Sequence, residues 1–231
     1  MGVVKVYLCV YNWLLFAGWL QILVSAVKAL QQSGPSGVYA AVEKPLQIWQ
    51  TAALLEVFFP LVFSFLWFLV LRRIVYGIVR SPVMATLPQI GSRIYLTWGI
   101  LFSFPQVQEH WLVTSLVLSW SITEVIRYSF FALKETFGYT PRFLLWLRYT
   151  TFFVMYPTGI CSEAGLVFVT LPFMQLSDLY CLRMPNKLNF GFDYYYMSIV
   201  ALLAYIPGSP GMYTHMIRQR KKALGSKPKA S

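Results

Sequence analysis

The sequence predicts an all-α membrane protein, a bundle of six transmembrane helices, and three observations carry that prediction. Of its 231 residues 58% are hydrophobic and 12% charged, against roughly 25% charged in an average soluble domain. Several apolar runs approach or exceed the ~18 to 20 residues needed to cross hydrocarbon as helix. The 19 Lys and Arg residues lie between those runs instead of along one face, so the net charge of +11 points to orientation in a membrane and away from nucleic acid.

Taken in order, the first span covers about 6–27 and stops before Gln31-Gln32-Ser33-Gly34-Pro35-Ser36-Gly37, a loop by its breakers that is expected to continue to Pro45. This first apolar run is too long for a signal h-region and lacks a small-residue cleavage pattern, so it is expected to be retained. The second span, 46–71, is interrupted by Glu56 and Pro60 and ends at Arg72-Arg73. As one helix it would measure about 39 Å, so it must tilt, kink at Pro60 or project from the bilayer. A third span covers about 83–104, with Pro88-Gln89-Ile90-Gly91-Ser92-Arg93 near its start. The fourth, 111–131, carries Glu124 and Arg127 toward its end. The fifth, 143–171, is followed by a polar loop from Gln175 to Asn189. The sixth, 190–206, ends at Pro207-Gly208-Ser209-Pro210-Gly211. One membrane domain thus occupies 1–216, and 217–231 is a basic, solvated tail.

Six spans put both termini on one side. That side then holds every Lys and Arg except Lys28, Lys44, Arg183 and Lys187, as the positive-inside rule expects of a cytosolic face. Cys9, Cys161 and Cys181 show no metal spacing and imply no disulfide framework. No metal site and no Ser/His/acid grouping is visible; His110 and His215 sit near span ends.

Chemistry concentrates in 147–163. Tyr156 and Glu163 stand seven residues apart within an apolar run, with Pro157 and Gly159 between them. Seven residues is two helical turns, which returns both side chains to nearly one face, about 10.5 Å apart along the axis. An acid at that depth is costly and marks either a structural ion pair or a functional site. Glu124 fits the first case, since Arg127 lies three residues on. Glu56 has no close basic neighbour in sequence, and its role stays open. Glu163 fits the second case: a tyrosine and a carboxyl group can divide acid and base work, and a bend at Pro157 would bring them together. A packed or interfacial tyrosine is the competing reading of Tyr156. A cysteine-phosphatase loop of the form C-x5-R is excluded, because Val167 stands where Cys161 would need an arginine.

These residues resemble those of the membrane-bound 3-hydroxyacyl-CoA dehydratases, also called protein-tyrosine-phosphatase-like A proteins, most closely their plant PASTICCINO type. The resemblance spans nearly the whole chain: Tyr11-Asn12-Trp13, Pro88 to Arg93, Trp120 to Tyr128, Leu147-Arg148-Tyr149, Tyr156-Pro157-Thr158-Gly159 with Glu163, and Arg183-Met184-Pro185-Asn186. It implies a six-span enzyme of the endoplasmic reticulum membrane with cytosolic termini. That enzyme dehydrates very-long-chain 3-hydroxyacyl-CoA in the third step of fatty acid elongation, without a cofactor and beside the other elongation enzymes. Tyr156 and Glu163 match the family's catalytic pair, in either assignment of acid and base. Glu56, Gln89, Arg93, Arg148 and Gly159 match supporting or substrate-binding positions. Arg93 and Arg148, with Arg72, Arg73 and Arg80, would meet the CoA phosphates, for which guanidinium forks are suited.

One departure is an apolar insertion of about a dozen residues within Phe58 to Tyr76, which would account for the length of the second span. The terminal Lys227-Pro228-Lys229-Ala230-Ser231 resembles a K-x-K-x-x retrieval signal, with a plain solvated tail as the alternative. A catalytically inactive scaffold or binding protein of the same fold would carry the same spans. A transporter is disfavoured, because no internal repeat or pair of broken helices is evident.

Overall fold

A computed structural model describes residues 3–54, 83–185 and 189–225. Among these the secondary structure is helical, apart from one antiparallel bridge between Leu182 and Phe192. Among the described residues three helical stretches are both long and apolar enough to cross a membrane, Lys5–Ser33, Trp111–Phe137 and Arg142–Ser177. Large apolar side chains stand on their outward faces, Val10, Leu14 and Val24 on the first and Val154 and Phe168 on the third, as expected of helices that meet lipid. The sequence-predicted second span lies outside the described residues from position 55 on, and so do Glu56, Arg72, Arg73, Arg80, the insertion at 58–76 and the terminal Lys-x-Lys motif.

Helix α1 runs Val3–Ser33 and turns at Gly34, φ 71°, into a 3-10 turn, Pro35–Gly37. Helix α2 follows at Val38–Ala52 and packs back on α1. The loop expected to reach Pro45 is therefore helix, with Pro45 inside it. Val38, Tyr39, Val42 and Leu46 recur at helical spacing and are all buried, and this apolar stripe outweighs the hydrogen bond the proline cannot make. The two helices close tightly, since a Cβ at Gly18 would lie 2.2 Å from the Trp49 ring.

Helix α3, Val83–Ile94, continues without interruption into a π-helical stretch, Tyr95–Phe102. Helix α4, Trp111–Phe137, starts where the His110 ring accepts a hydrogen bond from the Leu112 amide. It ends at Gly138, whose left-handed φ of 73° lets its amide cap Lys134, the usual glycine solution at a helix C-terminus. The expected fifth span is divided. Helix α5 covers Arg142–Arg148, and after a turn at 149–151 helix α6 runs Phe152–Ser177. Thr150 and Thr151 occupy the break, and the Thr151 hydroxyl bonds back to the Leu147 carbonyl at 2.9 Å. Such local bonds compete with helix continuation.

Helix α7 spans Tyr194–Gly225 and passes straight through the expected stop at Pro207–Gly211. Each proline removes one backbone bond; the Ser209 hydroxyl bonds to the Tyr205 carbonyl at 2.6 Å, and the good helix formers Arg218 to Ala223 carry the helix on. Helix α4 is the centre of the bundle, with α1 on one side and α6 on the other, and α7 lies outside α6.

Candidate active site

The α4–α6 interface is built from small hydroxyl side chains. The Ser162 hydroxyl donates to the Ser115 hydroxyl at 2.8 Å, and Ser119 and Thr158 meet at 3.0 Å. Small residues of this kind let apolar helices approach closely and hydrogen-bond across the gap. Beside this seam, next to Ser162 in sequence, sits Glu163. It is 8% exposed and lies about 16 Å along α6 from Phe152, near the middle of a helix long enough to cross a membrane.

Both oxygens of Glu163 accept hydrogen bonds. The Trp120 indole N–H on α4 donates to Oε1 at 2.9 Å, and the Tyr205 phenol on α7 donates to Oε2 at 2.8 Å. A buried carboxyl group is tolerated only with such partners. Tyr156 also faces α7, but its phenol donates to the Ser209 carbonyl at 3.2 Å and its ring stacks on Tyr213 with centroids 5.9 Å apart. The helices run antiparallel here: Glu163 meets Tyr205, Tyr156 meets Ser209, and Phe152 meets Tyr213. Helix α6 stays continuous through Pro157. The partners of the two groups on α7 are four residues apart, about 6 Å along the axis, against about 10.5 Å for the groups themselves on α6.

Behind Trp120 lies a second buried layer. Arg93 on α3 forms an ion pair with Glu124 on α4, and its guanidinium stands over the Trp120 ring at 5.2 Å. Arg127 completes the cluster 3.5 Å from the other Glu124 oxygen. The sequence pairing of Glu124 with Arg127 is therefore present, with Arg93 as the closer partner. The Arg93 side chain points into the bundle, 11% exposed, where it is tied to Glu124. Gln89 lies on the same helix and lines a small crevice with Trp19, Gln50, Arg93 and Glu124.

Arg148 closes α5 with its guanidinium 4.2 Å from the Phe130 ring centre and 4.3 Å from that of Phe131, and its Nη1 is buried without a hydrogen-bond partner. Gly159 faces α4, where an added Cβ would make an ordinary 3.9 Å contact with Ser119, so close approach is not what calls for glycine there. Trp120 was visible only as part of a longer motif, and Tyr205 not at all. The available signal was the stripe Tyr205, Ser209, Tyr213 at four-residue spacing, which marks one face of a helix once Pro207 to Gly211 is read as helical.

Comparison with known proteins identifies relatives over the whole chain. Residues 50–226 match the family model described as protein tyrosine phosphatase-like protein, PTPLA. The chain is 60% identical over 227 residues, 98% of its length and 96% of the relative's, to the very-long-chain (3R)-3-hydroxyacyl-CoA dehydratase PASTICCINO 2A of Oryza sativa subsp. japonica. It is 56% identical over 220 residues, 95% and 93% of the two chains, to PASTICCINO 2 of Arabidopsis thaliana. Identity to the human very-long-chain (3R)-3-hydroxyacyl-CoA dehydratase 2 is 40% over 219 residues, 94% and 80% of the two chains. No solved structure matches. The chain, by its match over more than half its length and its close relatives, belongs to the PTPLA family.

Proposed function

We propose that this protein dehydrates very-long-chain 3-hydroxyacyl-CoA to trans-2-enoyl-CoA, the third step of fatty acid elongation, in the endoplasmic reticulum membrane. One observation carries the reading: Glu163 is a buried carboxyl group in an apolar helix, held on both oxygens by side-chain donors, and Tyr156 meets the same helix α7 that supplies one of them. Relatives named as such dehydratases at up to 60% identity support it.

The substrate thioester acidifies its α-proton. Glu163 takes that proton, the C–H electron pair forms the new double bond, and the β-carbon–oxygen bond breaks. Tyr156 protonates the departing oxygen, which leaves as water. Before the next turnover the proton on Glu163 returns to the Tyr156 phenolate. The chemistry needs no cofactor. For this the Tyr156 phenol exchanges its bond to Ser209 for one to the leaving hydroxyl, a shift toward Glu163 by about one helical turn.

The acyl chain lies among the apolar helices, and Arg148, whose Nη1 is buried without a hydrogen-bond partner, turns outward to meet the CoA phosphates when substrate binds. Six spans with both termini cytosolic suit the distribution of Lys and Arg. The other elongation enzymes, a ketoacyl synthase and two reductases, act on the neighbouring intermediates and are the natural protein partners.

The test is an assay of microsomes that carry the protein, its Tyr156→Phe variant or its Glu163→Gln variant, with long-chain 3-hydroxyacyl-CoA as substrate. Each variant should lose at least about 100-fold in rate at equal abundance, as the loss of a general acid or base does. Parental rates in both would overturn the assignment.

A further inference from the structure

The geometry points to Tyr205 as a positioning residue for the dehydration: with the Trp120 indole, its phenol fixes the Glu163 carboxylate in the orientation from which it removes the α-proton. The inference rests on the proposed role of Glu163 as base and adds to it the residues that aim that base.

The carboxylate of a glutamate turns freely about its last torsion, a broad and roughly two-fold one. At Glu163 that freedom is removed from both sides. Trp120 comes from α4 and Tyr205 from α7, so the two donors belong to different helices and grip opposite oxygens. An ionised carboxyl group is acceptor-only, and with one donor on each oxygen it keeps lone-pair capacity on both for an incoming proton. Each donor is itself held. The Trp120 ring lies under the Arg93 guanidinium, which the buried Glu124 anchors by an ion pair. Tyr205 belongs to the continuous helix α7 and shares its face with Ser209, the residue that receives the Tyr156 phenol. The same helix face therefore aims the base and parks the acid. A site tolerates little misplacement of such groups, because rate depends on reacting atoms being held close and aligned.

The tyrosine that touches Glu163 is thus not the one that shares its helix. Tyr205 is half-buried and spends its phenol hydrogen on the carboxylate, whereas Tyr156 offers its own to a backbone carbonyl from which it can be released. This division suits Tyr205 to positioning and Tyr156 to proton donation.

The experiment uses the full chain in microsomes, with long-chain 3-hydroxyacyl-CoA as the probe and four variants: Tyr205→Phe, Trp120→Phe, Glu163→Gln and Tyr205→Phe with Glu163→Gln. Tyr205→Phe keeps the ring and loses only the donor. It should lower kcat about 10- to 100-fold, the range for one hydrogen bond to a charged group, and leave KM within about twofold, the mark of an interaction spent on the transition state. Added to Glu163→Gln it should lower the residual rate no further, since a residue that acts through Glu163 has nothing left to act on. If Tyr205→Phe does not accumulate in membranes, Trp120→Phe reads the other oxygen and should show the same split. Parental kcat in Tyr205→Phe beside an inactive Glu163→Gln overturns the positioning role alone. An undiminished fall in the double variant, or a change in KM only, also overturns it. Parental activity in Glu163→Gln overturns the reading of the site itself.

Discussion

Replacement of Arg93 by methionine removes one partner of a buried ion pair and leaves the other in place. The Glu124 side chain is 1% exposed, and its partners are Arg93 and, at 3.5 Å, the more exposed Arg127. Breaking a buried pair from one side costs about 3 to 5 kcal/mol, because the remaining charge is stranded. Arg127 still reaches Glu124, which puts the electrostatic loss near the low end, and the lost contact with the Trp120 ring adds about 0.5 to 1 kcal/mol. The sum is about 3 to 4 kcal/mol, or a fall in Tm of about 6 to 16 °C for a chain of this size. The assay is thermal unfolding of the purified protein in detergent, followed by tryptophan fluorescence. Arg127→Met, which removes the longer and more exposed contact, should cost about 1 kcal/mol and shift Tm by about 2 to 4 °C. Arg93→Met with Glu124→Met strands no carboxylate at that position and should be more stable than Arg93→Met alone. Equal shifts for the two arginine variants, or a double variant less stable than the single one, would refute the buried-pair reasoning.

Gly159→Ala should not lower Tm, because the new methyl group meets Ser119 at an ordinary distance and alanine gains about 1 kcal/mol in helix propensity; unfolding in detergent checks this. Gly18→Ala should do the opposite, since its Cβ would meet the Trp49 ring at 2.2 Å, and overpacking of this kind costs about 1 to 3 kcal/mol. The loop after α6 should loosen in acid. Arg183 bridges Asp178 and Asp193, and the hydrogen bond from Arg183 holds the Asp178 carboxyl below the usual carboxylate range. A depressed folded value means that the support is complete above the unfolded value of about 4 and is lost as pH falls through the folded one. The hydrogen-exchange protection factors of the Leu182 and Phe192 amides, each of which donates to the other residue's carbonyl across this loop, should then be flat from about pH 5 to 8 and fall below about pH 4; a fall that begins above about pH 5 would count against the clamp.

The helical character was legible from the sequence, and Glu163 stood out in it as a candidate, because both depend on cost. Apolar runs cannot stay in water, and Glu163 cannot sit in hydrocarbon alone, so each stands out against its surroundings. Helix boundaries were less legible. Pro45 and Pro207 look like stops, yet the buried stripe of Val38, Val42 and Leu46 holds α2 across the first, and α7 runs through the second. Local propensity loses to packing in the first of these, and packing partners are not written in a single segment. The partners of Glu163 were invisible for a related reason. Tyr205 is one of 15 tyrosines, and only the antiparallel pairing of α6 with α7 picks it out. Arg93 was expected to meet the CoA phosphates, and its buried ion pair with Glu124 was not visible in sequence, where Arg127 was the nearer base.

The passage of α7 through Pro207–Gly211 has a geometric corollary. Tyr205, which touches the carboxylate, and Arg220, which stands 5.3 Å over the Phe153 ring, belong to the same uninterrupted helix. Fifteen residues of helix separate their backbones by about 22 Å, but the Arg220 head reaches back to Phe153, ten residues or about 15 Å along α6 from Glu163. A helix of that kind is a ruler: any anionic head seated against Arg220 reaches Glu163 only through a tether of comparable length. Depth of insertion would then be measured from the water side, independently of how many carbons trail behind the reacting ones.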